Sequence, residues 1–372
     1  MRHRTGGVRP SEPGDNSAPM AQEWIDSPSD GPGPVPLRDK VAFLADSDAY
    51  PDVQGRVTVR ETHMSWVFLA GDRVYKLKKP LRYPRRDGRF LWGREFLCRE
   101  EVRLNRRLAP DVYLGVSALT VTADGRLALQ GGGRTVDWLV VMRRLPAERM
   151  LDNAIAAGAV DRERIDRLGE RLSGFYRGLA PEPVSPQTYL QRFAGEHARN
   201  RAVLTDPRFA LPKGALQRVL DALDRWLEAG APALRERARA GRIVEGHGDL
   251  RPEHVCLCDT PVVIDGLEFS LALRQVDPFD ELAFLGMECD RLGAPWIGPR
   301  LIRQCGEALD DHPGAPLLAF YTAYRACLRA RLALAHLLEP DPRSPERWVP
   351  LAADYLSLAE RAAANLGPPA TR

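Results

Sequence analysis

The chain has 372 residues, of which 44% are hydrophobic and 28% are charged, so it can bury a core as one large or two smaller domains. Its 53 basic and 50 acidic side chains leave a formal net charge of +3, too small to indicate a nucleic-acid surface by itself. No run approaches the roughly 20 apolar residues of a bilayer span, and no apolar segment of the kind that a secretory signal requires follows the basic start. We therefore expect a cytoplasmic protein with no membrane partner.

The first 36 residues differ in composition from the rest. Residues 1–36 contain seven prolines and five glycines without apolar periodicity, which predicts a disordered tail that cannot offset its chain entropy. Residues 37–145 are predicted to form one structural unit and residues 146–366 another. The six cysteines lie mostly among apolar neighbours in a long chain, which favours free thiols over disulfides.

The unit at 37–145 is predicted to be a small sheet with one helix. Three short β-favouring runs, separated by tight turns, predict antiparallel strands at 57–59, 66–69 and 74–77. A helix is predicted over 92–108, ended by Pro110. Two further strands are predicted over 112–121 and 136–145, the second as a buried apolar run.

After these strands the apolar residues recur near every 3.6 positions, which predicts a mainly helical second unit. Residues 243–275 interrupt this rhythm with a loop and a β-like hairpin formed by 255–257 and 262–264. Helices are predicted again over 317–338 and 347–366. The fold class is therefore α+β, and its chemistry is expected in the interruption.

Two acidic motifs lie inside that interruption. Residues 247–254 read HGDLRPEH, and residues 264–269 read IDGLEF. Phosphoryl transfer needs one carboxylate to orient an attacking hydroxyl and accept its proton, and a second on the metal that bridges the nucleotide phosphates. Asp249 and Asp265 are the candidates for these two roles.

The motifs resemble those of a known family. The first is similar to the H-G-D-x-x-x-x-N catalytic loop of aminoglycoside and choline kinases, and the second to their metal-binding I-D motif. Residues 277–283, DPFDELA, resemble the D-P-x-x-D-L-A stretch that follows in the same family. Asp277 and Asp280 in this stretch are interpreted as helix-capping carboxylates that brace the loop.

The resemblance implies a fold, an activity and cofactors. The fold is a two-lobed protein-kinase-like one, with an antiparallel-sheet nucleotide-binding lobe at 37–145 and a larger, mainly helical lobe at 146–366. The activity is transfer of the γ-phosphate of ATP to a hydroxyl group of a small molecule, with Mg²⁺, or alternatively Mn²⁺, as cofactor. The oligomeric state stays open.

The small lobe contains candidates for two further groups of the family. A strand lysine that reaches the α- and β-phosphates corresponds to Lys76, and the helix glutamate that holds it corresponds to Glu101. Lys78 shares the strand face of Lys76 and is the alternative lysine. Glu100 is the alternative glutamate.

The loop expected to cover the nucleotide contains no G-x-G-x-x-G. Residues 62–65, THMS, occupy its place, and Ser and Thr hydroxyls with backbone N–H groups can bind phosphates without glycines. Ser65 is therefore a candidate nucleotide contact, whereas His63 is interpreted as a loop histidine. Met142, on the buried strand, is the remaining nucleotide-binding candidate.

His254 marks a departure from the family, which usually has a metal-binding Asn at that position. Magnesium prefers oxygen ligands, whereas imidazole suits zinc or manganese better. His254 is thus a candidate metal ligand beside Asp265. Alternatively, His254 does not touch the metal but supports its ligands, or Glu268 or a water replaces the missing Asn ligand. In a further alternative, the protein is an impaired, pseudokinase-like nucleotide-binding protein.

The chain is also similar to the phosphotransferase-like lobe of proteins that fuse such a lobe to a P-loop ATPase domain. No G-x-x-x-x-G-K-[ST] occurs in it, so its nucleotide chemistry is expected at the kinase-like site. Residues 73–107 carry 13 basic against four acidic side chains, which we interpret as a solvated face beside a phosphate-binding cleft and not as a nucleic-acid site.

The acceptor cannot be identified from the sequence. Aminoglycoside kinases bind a polycation with clusters of carboxylates. Here the helices after Asp265 mix acidic and basic candidates, namely Glu281, Glu288, Asp290, Arg291, Arg325, Arg329 and Arg331. This mixture does not predict an antibiotic site.

Overall fold

The computed structural model describes residues 35–51, 53, 55–83, 86–339 and 342–367. The predicted tail lies almost wholly outside these ranges and stays a prediction. In chain order, the elements of the first part are α1 (Leu37–Ala45), β1 (Thr58–Glu61), β2 (Ser65–Ala70), β3 (Arg73–Lys78), β4 (Arg82–Tyr83), β5 (Arg86–Asp87), α2 (Leu91–Asn105), β6 (Tyr113–Val121), β7 (Leu127–Leu129) and β8 (Arg134–Arg143).

The second part is mainly helical. Its elements are α3 (Leu151–Ala156), α4 (Arg162–Arg177), α5 (Pro186–Leu204), α6 (Lys213–Ala229), α7 (Ala231–Arg239), β9 (Val244–Glu245), β10 (Val255–Cys256), β11 (Val262–Val263), α8 (Leu271–Arg274), β12 (Gln275–Val276), α9 (Pro278–Arg291), α10 (Ile297–Leu309), α11 (Ala315–Ala335) and α12 (Trp348–Ala363). None of the helices described combines the length and apolar character that crossing a membrane requires.

Six strands form one antiparallel sheet in the order β1-β2-β3-β8-β6-β7. Alternate residues of β8 face opposite sides of this sheet, as the pleat requires. Leu139 and Val141 pack with Leu44 of α1 on one face, while Val140 and Met142 pack with α2 on the other. The sheet is therefore covered by a helix on each face.

A tight turn at Gly71 joins β2 to β3 and fixes the register of the hairpin. Gly71 has φ +59°, in the left-handed region that glycine adopts without strain, and Ala70 pairs with Arg73 across the turn. This register places Lys76 and Lys78 on one face of β3, because residues two apart point to the same side. That face is turned towards α2.

The β10–β11 hairpin connects the helical lobe to the sheet. Val262 and Ile264 pack against the apolar cluster between the sheet and α2. Asp265, which follows this hairpin, therefore lies next to β3 and α2. The loop that contains Asp249 joins β9 to this hairpin.

The predicted α+β class, with an antiparallel sheet and a mainly helical remainder, is confirmed, and all six cysteines are free thiols as expected. Helix α2 ends three residues earlier than predicted, because the N–H groups of Arg107 and Leu108 donate to carbonyls only three residues back, those of Leu104 and Asn105, at 3.3 and 3.1 Å. The sequence analysis missed β7, a three-residue strand after the turn at Gly125.

Candidate active site

Lys76 lies where β3, α2 and the segment after β11 meet. Its ammonium donates to Glu101 Oε1 at 2.7 Å and to Asp265 Oδ1 at 2.5 Å. Burial alone would lower the pKa of Lys76, but the charges of Asp265 and Glu101 outweigh it and raise that pKa. Burial would likewise raise the pKa of both carboxyls, yet Lys76 keeps each below its usual value. The cluster is therefore fully ionised near neutral pH.

Lys78, the alternative lysine, is paired deeper in the same cluster. It donates to the second oxygen of Glu101 and to Glu268 Oε1, the latter at 2.6 Å. Glu101 is thus shared by two lysines. Glu100 points away, towards Arg103 at 2.7 Å. The structure therefore brings Lys76, and not Lys78, to Asp265, and places Glu101, and not Glu100, against the lysines.

Asp265 has a special backbone conformation. Its φ is +67°, in the left-handed region that non-glycine residues rarely adopt and that is often found at functional sites. Its N–H donates to the Tyr113 hydroxyl at 3.1 Å, and the next N–H, of Gly266, donates to Asn105 Oδ1 at 2.8 Å. These bonds fix the carboxylate, which is 47% exposed, at the edge of the cluster.

The loop that contains Asp249 is held by a buried glutamate that the sequence analysis assigned only to a possible acceptor site. Glu281, in the first turn of α9, accepts the N–H of His247 at 3.1 Å and that of Gly248, which has φ +89°. Tyr176 also donates to it, at 2.9 Å. The sequence contained one signal for this role. Glu281 lies beside apolar residues at the start of a helix predicted to be buried, where an acidic side chain requires hydrogen-bond partners.

Asp249 lies between cationic side chains. Arg251 Nε donates to its Oδ2 at 3.0 Å. Burial alone would raise the pKa of Asp249, but the positive charges of Arg251 and Arg329 outweigh this and lower it. Its carboxylate is therefore ionised near neutral pH and able to accept a proton.

His254 connects the two candidate aspartates. Its Nδ1 lies 2.8 Å from the backbone oxygen of Asp249, and because a carbonyl only accepts, Nδ1 carries the proton. In the neutral form of the ring, Nε2 therefore carries the lone pair. This atom lies 3.6 Å from Asp265 Oδ2 and 3.4 Å from Arg251 Nη2. His247 joins the same two segments, since its Nε2 donates to the carbonyl of Ile264, the residue before Asp265, at 2.9 Å.

The donor set fits a divalent cation only in part. Asp265 and the lone pair of His254 face each other, whereas Glu268 is engaged by Lys78. Across the described ranges no group of three or more His, Cys, Asp or Glu side chains could hold a metal ion. Protein-bound magnesium commonly uses one or two carboxylates and takes its other ligands from water and substrate phosphates. These residues fit that kind of site, completed by a phosphate.

The remaining nucleotide-binding candidates lie at the sheet. Ser65 begins β2, pairs with Lys78 in the register, and is buried; its N–H donates to Thr62 Oγ1 at 2.9 Å. Met142 is buried in the apolar cluster between the sheet and α2, opposite Val74. Their roles towards a nucleotide stay predictions.

Asp277 caps α9, as expected, and accepts the N–H of Phe279 at 2.9 Å. It is fully buried and also binds the Arg237 guanidinium, at 2.5 and 2.9 Å, and the Tyr321 hydroxyl. The capping interpretation of Asp280 is wrong. Its side chain instead faces α11, where it forms two hydrogen bonds with Arg325, because Asp277 already occupies the cap.

A cavity of about 620 Å³ opens beside Asp249 and extends between α5 and α11. Its apolar wall includes Phe193, Phe284 and Leu328. Of the acidic and basic residues that the sequence suggested for an acceptor site, only three arginines line this cavity, namely Arg325, Arg329 and Arg331. The acids of that set face elsewhere. Glu288, for example, is bound by Arg291 and Arg329.

Comparison with known proteins identifies similar sequences and similar folds. Residues 97–266 match the model of the phosphotransferase enzyme family. An uncharacterized protein of Mycobacterium tuberculosis (strain ATCC 25618 / H37Rv) is 31% identical over 301 residues, which cover 80% of this chain and 59% of that protein. The chain thus spans somewhat more than half the length of the curated relatives it matches.

Two solved structures have the same fold. A choline/ethanolamine kinase family protein from Mesorhizobium loti has a TM-score of 0.50 at 16% identity, with 89% of this chain and 95% of that chain covered. A choline kinase from Cryptosporidium parvum Iowa II has a TM-score of 0.50 at 9% identity, with 88% and 96% covered. The predicted resemblance and the predicted kinase-like fold are confirmed.

Proposed function

We propose, starting from the phosphotransferase enzyme family whose pattern residues 97–266 carry, that this protein moves the γ-phosphate of ATP to a hydroxyl group of a small molecule. The main support is the convergence of three separate chain segments. Lys76 from the sheet contacts Glu101 from α2 at 2.7 Å and Asp265, which follows β11, at 2.5 Å. His254 then joins Asp265 to Asp249.

In the proposed reaction the acceptor oxygen attacks the γ-phosphorus while the bond to the β–γ bridging oxygen breaks, and ADP leaves. Asp249 orients the hydroxyl and accepts its proton. Lys76 binds the nucleotide phosphates, and Glu101 keeps its ammonium in place. The ion pair of Lys76 with Asp265 would then be replaced in part by a pair with phosphate.

A magnesium or manganese ion would be held by Asp265, with His254 as the second candidate ligand. When bound, such an ion neutralises phosphate charge during transfer. The neutral tautomer of His254 leaves Nε2 able to ligate. Asp249 stays outside this pair, beside Arg251.

The second candidate function is nucleotide binding without turnover. The observation that favours it is His254, an imidazole where the family usually has an amide oxygen. The ionised carboxylate of Asp249 and the intact Lys76–Glu101 pair favour catalysis. We therefore propose the enzyme first.

Replacing Asp265 by Ala tests the nucleotide site. We expect the affinity for Mg-ATP to fall by about tenfold or more, because one charged ligand is lost. Isothermal titration measures this affinity directly and does not require an acceptor. Asp259→Ala is the matched control, because Asp259 lies on the hairpin that precedes Asp265 and its side chain is fully exposed. Equal affinities in the two variants would remove Asp265 from the site.

Replacing His254 by Asn tests the metal ligand. We expect Mg²⁺-supported turnover to rise relative to Mn²⁺-supported turnover, since an amide oxygen suits magnesium better than imidazole does. The ratio of the two rates is the measurement, and His336→Asn, at a half-exposed histidine paired with Glu339, is the control. An unchanged ratio would mean that His254 only holds the loop. No turnover in either form would favour the binding protein.

A further inference from the structure

The cavity beside Asp249 has an unusual charge balance. Its lining contains five arginines and three carboxylates, and one of these carboxylates is Asp249 itself. The arginines are Arg192, Arg199, Arg325, Arg329 and Arg331. A cationic acceptor would therefore meet more like charges than opposite ones.

The other two carboxylates of the lining are already neutralised. Asp280 forms two hydrogen bonds with Arg325, at 2.8 and 2.6 Å. Glu196 is shared by Arg331, at 2.7 Å, and Arg199. Neither is available to an ammonium group without breaking an ion pair that the protein has already formed.

Positive charge is in excess at two places along the cavity. Arg199 and Arg331 share the single carboxylate of Glu196, and the Nε atom of Arg331 is buried with no hydrogen-bond partner within the described chain. Arg329 shares Glu288 with Arg291 in the same way. Its positive charge also helps to lower the pKa of Asp249. Guanidinium groups match oxyanions well in charge and in hydrogen-bond geometry.

We propose that the acceptor is a hydroxy compound that carries an oxyanion, a carboxylate or a phosphate, on an apolar body. This proposal rests on the phosphotransferase function above. The arginines hold the oxyanion, the wall of Phe193, Phe284 and Leu328 contacts the apolar body, and the hydroxyl is presented to Asp249. A volume of about 620 Å³ suits a molecule of ordinary ligand size.

Three alcohols of nearly the same shape test the sign of the charge. They are 4-(hydroxymethyl)benzoate, which is anionic, 4-(hydroxymethyl)benzamide, which is neutral, and 4-(hydroxymethyl)benzylamine, which is cationic. Binding to the full-length protein is measured by ligand-observed NMR with Mg-ADP present. We expect the benzoate to bind about tenfold more tightly than the amide, and the benzylamine to bind most weakly. Preference for the benzylamine, or no difference among the three, would overturn the proposal.

Arg331→Gln should remove most of the preference for the benzoate over the amide, and Arg331→Lys should keep part of it. Arg300→Gln is the matched control, since Arg300 pairs with Asp166 between α10 and α4 and lies outside the cavity lining. Thermal unfolding of each variant verifies that it folds. If Arg331→Gln misfolds, Arg199→Gln, at a more exposed partner of the same glutamate, takes its place. An unchanged preference in a folded variant of either arginine would overturn the assignment.

The same compounds separate this proposal from the phosphotransferase function. Preferred binding of the benzoate without ADP formation from Mg-ATP would support the anion site and contradict the enzyme. ADP formation that depends on Asp249 but is fastest with the benzylamine would support the enzyme and overturn the anion site.

Discussion

Asp249→Asn is expected to lower turnover by at least about 10²-fold, since a general base contributes 10²–10⁴-fold and an amide cannot accept the proton of the acceptor hydroxyl. Folding should be preserved, because Asn keeps the size of the side chain and an oxygen for Arg251, which now lies 3.0 Å from the carboxylate. Affinity for Mg-ATP should also be preserved, since Asp249 contacts neither Lys76 nor Asp265. The rate is measured as ADP formation with the best hydroxy acceptor of the unsubstituted protein.

Asp290→Asn is the matched control for this experiment. Asp290 lies at the end of α9, partly exposed and paired with Arg361 at 2.8 Å, away from the candidate site. Its variant should keep the full rate. If Asp249→Asn also kept most of its rate, the loop at 247–254 would not be the catalytic one.

Asp277→Ala is expected to lower the free energy of unfolding by about 3–5 kcal/mol, the usual effect of removing one partner of a buried ion pair. The variant leaves the buried Arg237 with only Asp311, removes the cap of α9, and leaves the Tyr321 hydroxyl without its acceptor. Urea unfolding followed by circular dichroism measures the loss. Because α9 also carries Glu281, the Asp249 loop should loosen in the same variant.

A capping aspartate at the surface separates the two contributions. Asp161 caps α4 by accepting the N–H of Arg164 at 2.7 Å, and its side chain is exposed. Asp161→Ala should therefore cost about 1 kcal/mol, since it removes the cap and an exposed ion pair with Arg164 that contributes little. Equal losses in the two variants would mean that the buried ion pair contributes nothing measurable.

The strands and the motif residues could be predicted because local patterns specify them. The hairpin of β2 and β3 follows from β-favouring runs on either side of the turn at Gly71, and the strand period of two places Lys76 and Lys78 on one face. The choice between the lysines could not be predicted, since it depends on how α2 and Asp265 approach β3. Glu101 and Asp265 are 25 and 189 positions away from Lys76, beyond any local periodicity.

The parts that could not be predicted are those in which buried charges find distant partners. Glu281 lies in a helix whose pattern indicates only burial, and its bonds to His247 and Gly248 depend on how that helix packs against the loop. The three cavity arginines of α11 are similar, because the sequence of α11 indicates a mostly apolar helix. The sequence shows these arginines among acidic residues, and it does not indicate which of them face the cavity. Glu288, for example, is absent from the cavity lining and pairs with Arg329.

The two lysines that hold Glu101 have a consequence for the readiness of the proposed nucleotide site. In the proposed complex, where Lys76 pairs with a phosphate, Lys78 would still hold the glutamate, and Asn105 would still tie the end of α2 to Gly266. The helix is therefore anchored twice over and does not depend on nucleotide for its place. A protein whose competent conformation is already the major one loses no affinity to a preceding rearrangement. We expect a nucleotide to enter a pocket that is already assembled. We do not expect outward movement of α2 to regulate the protein.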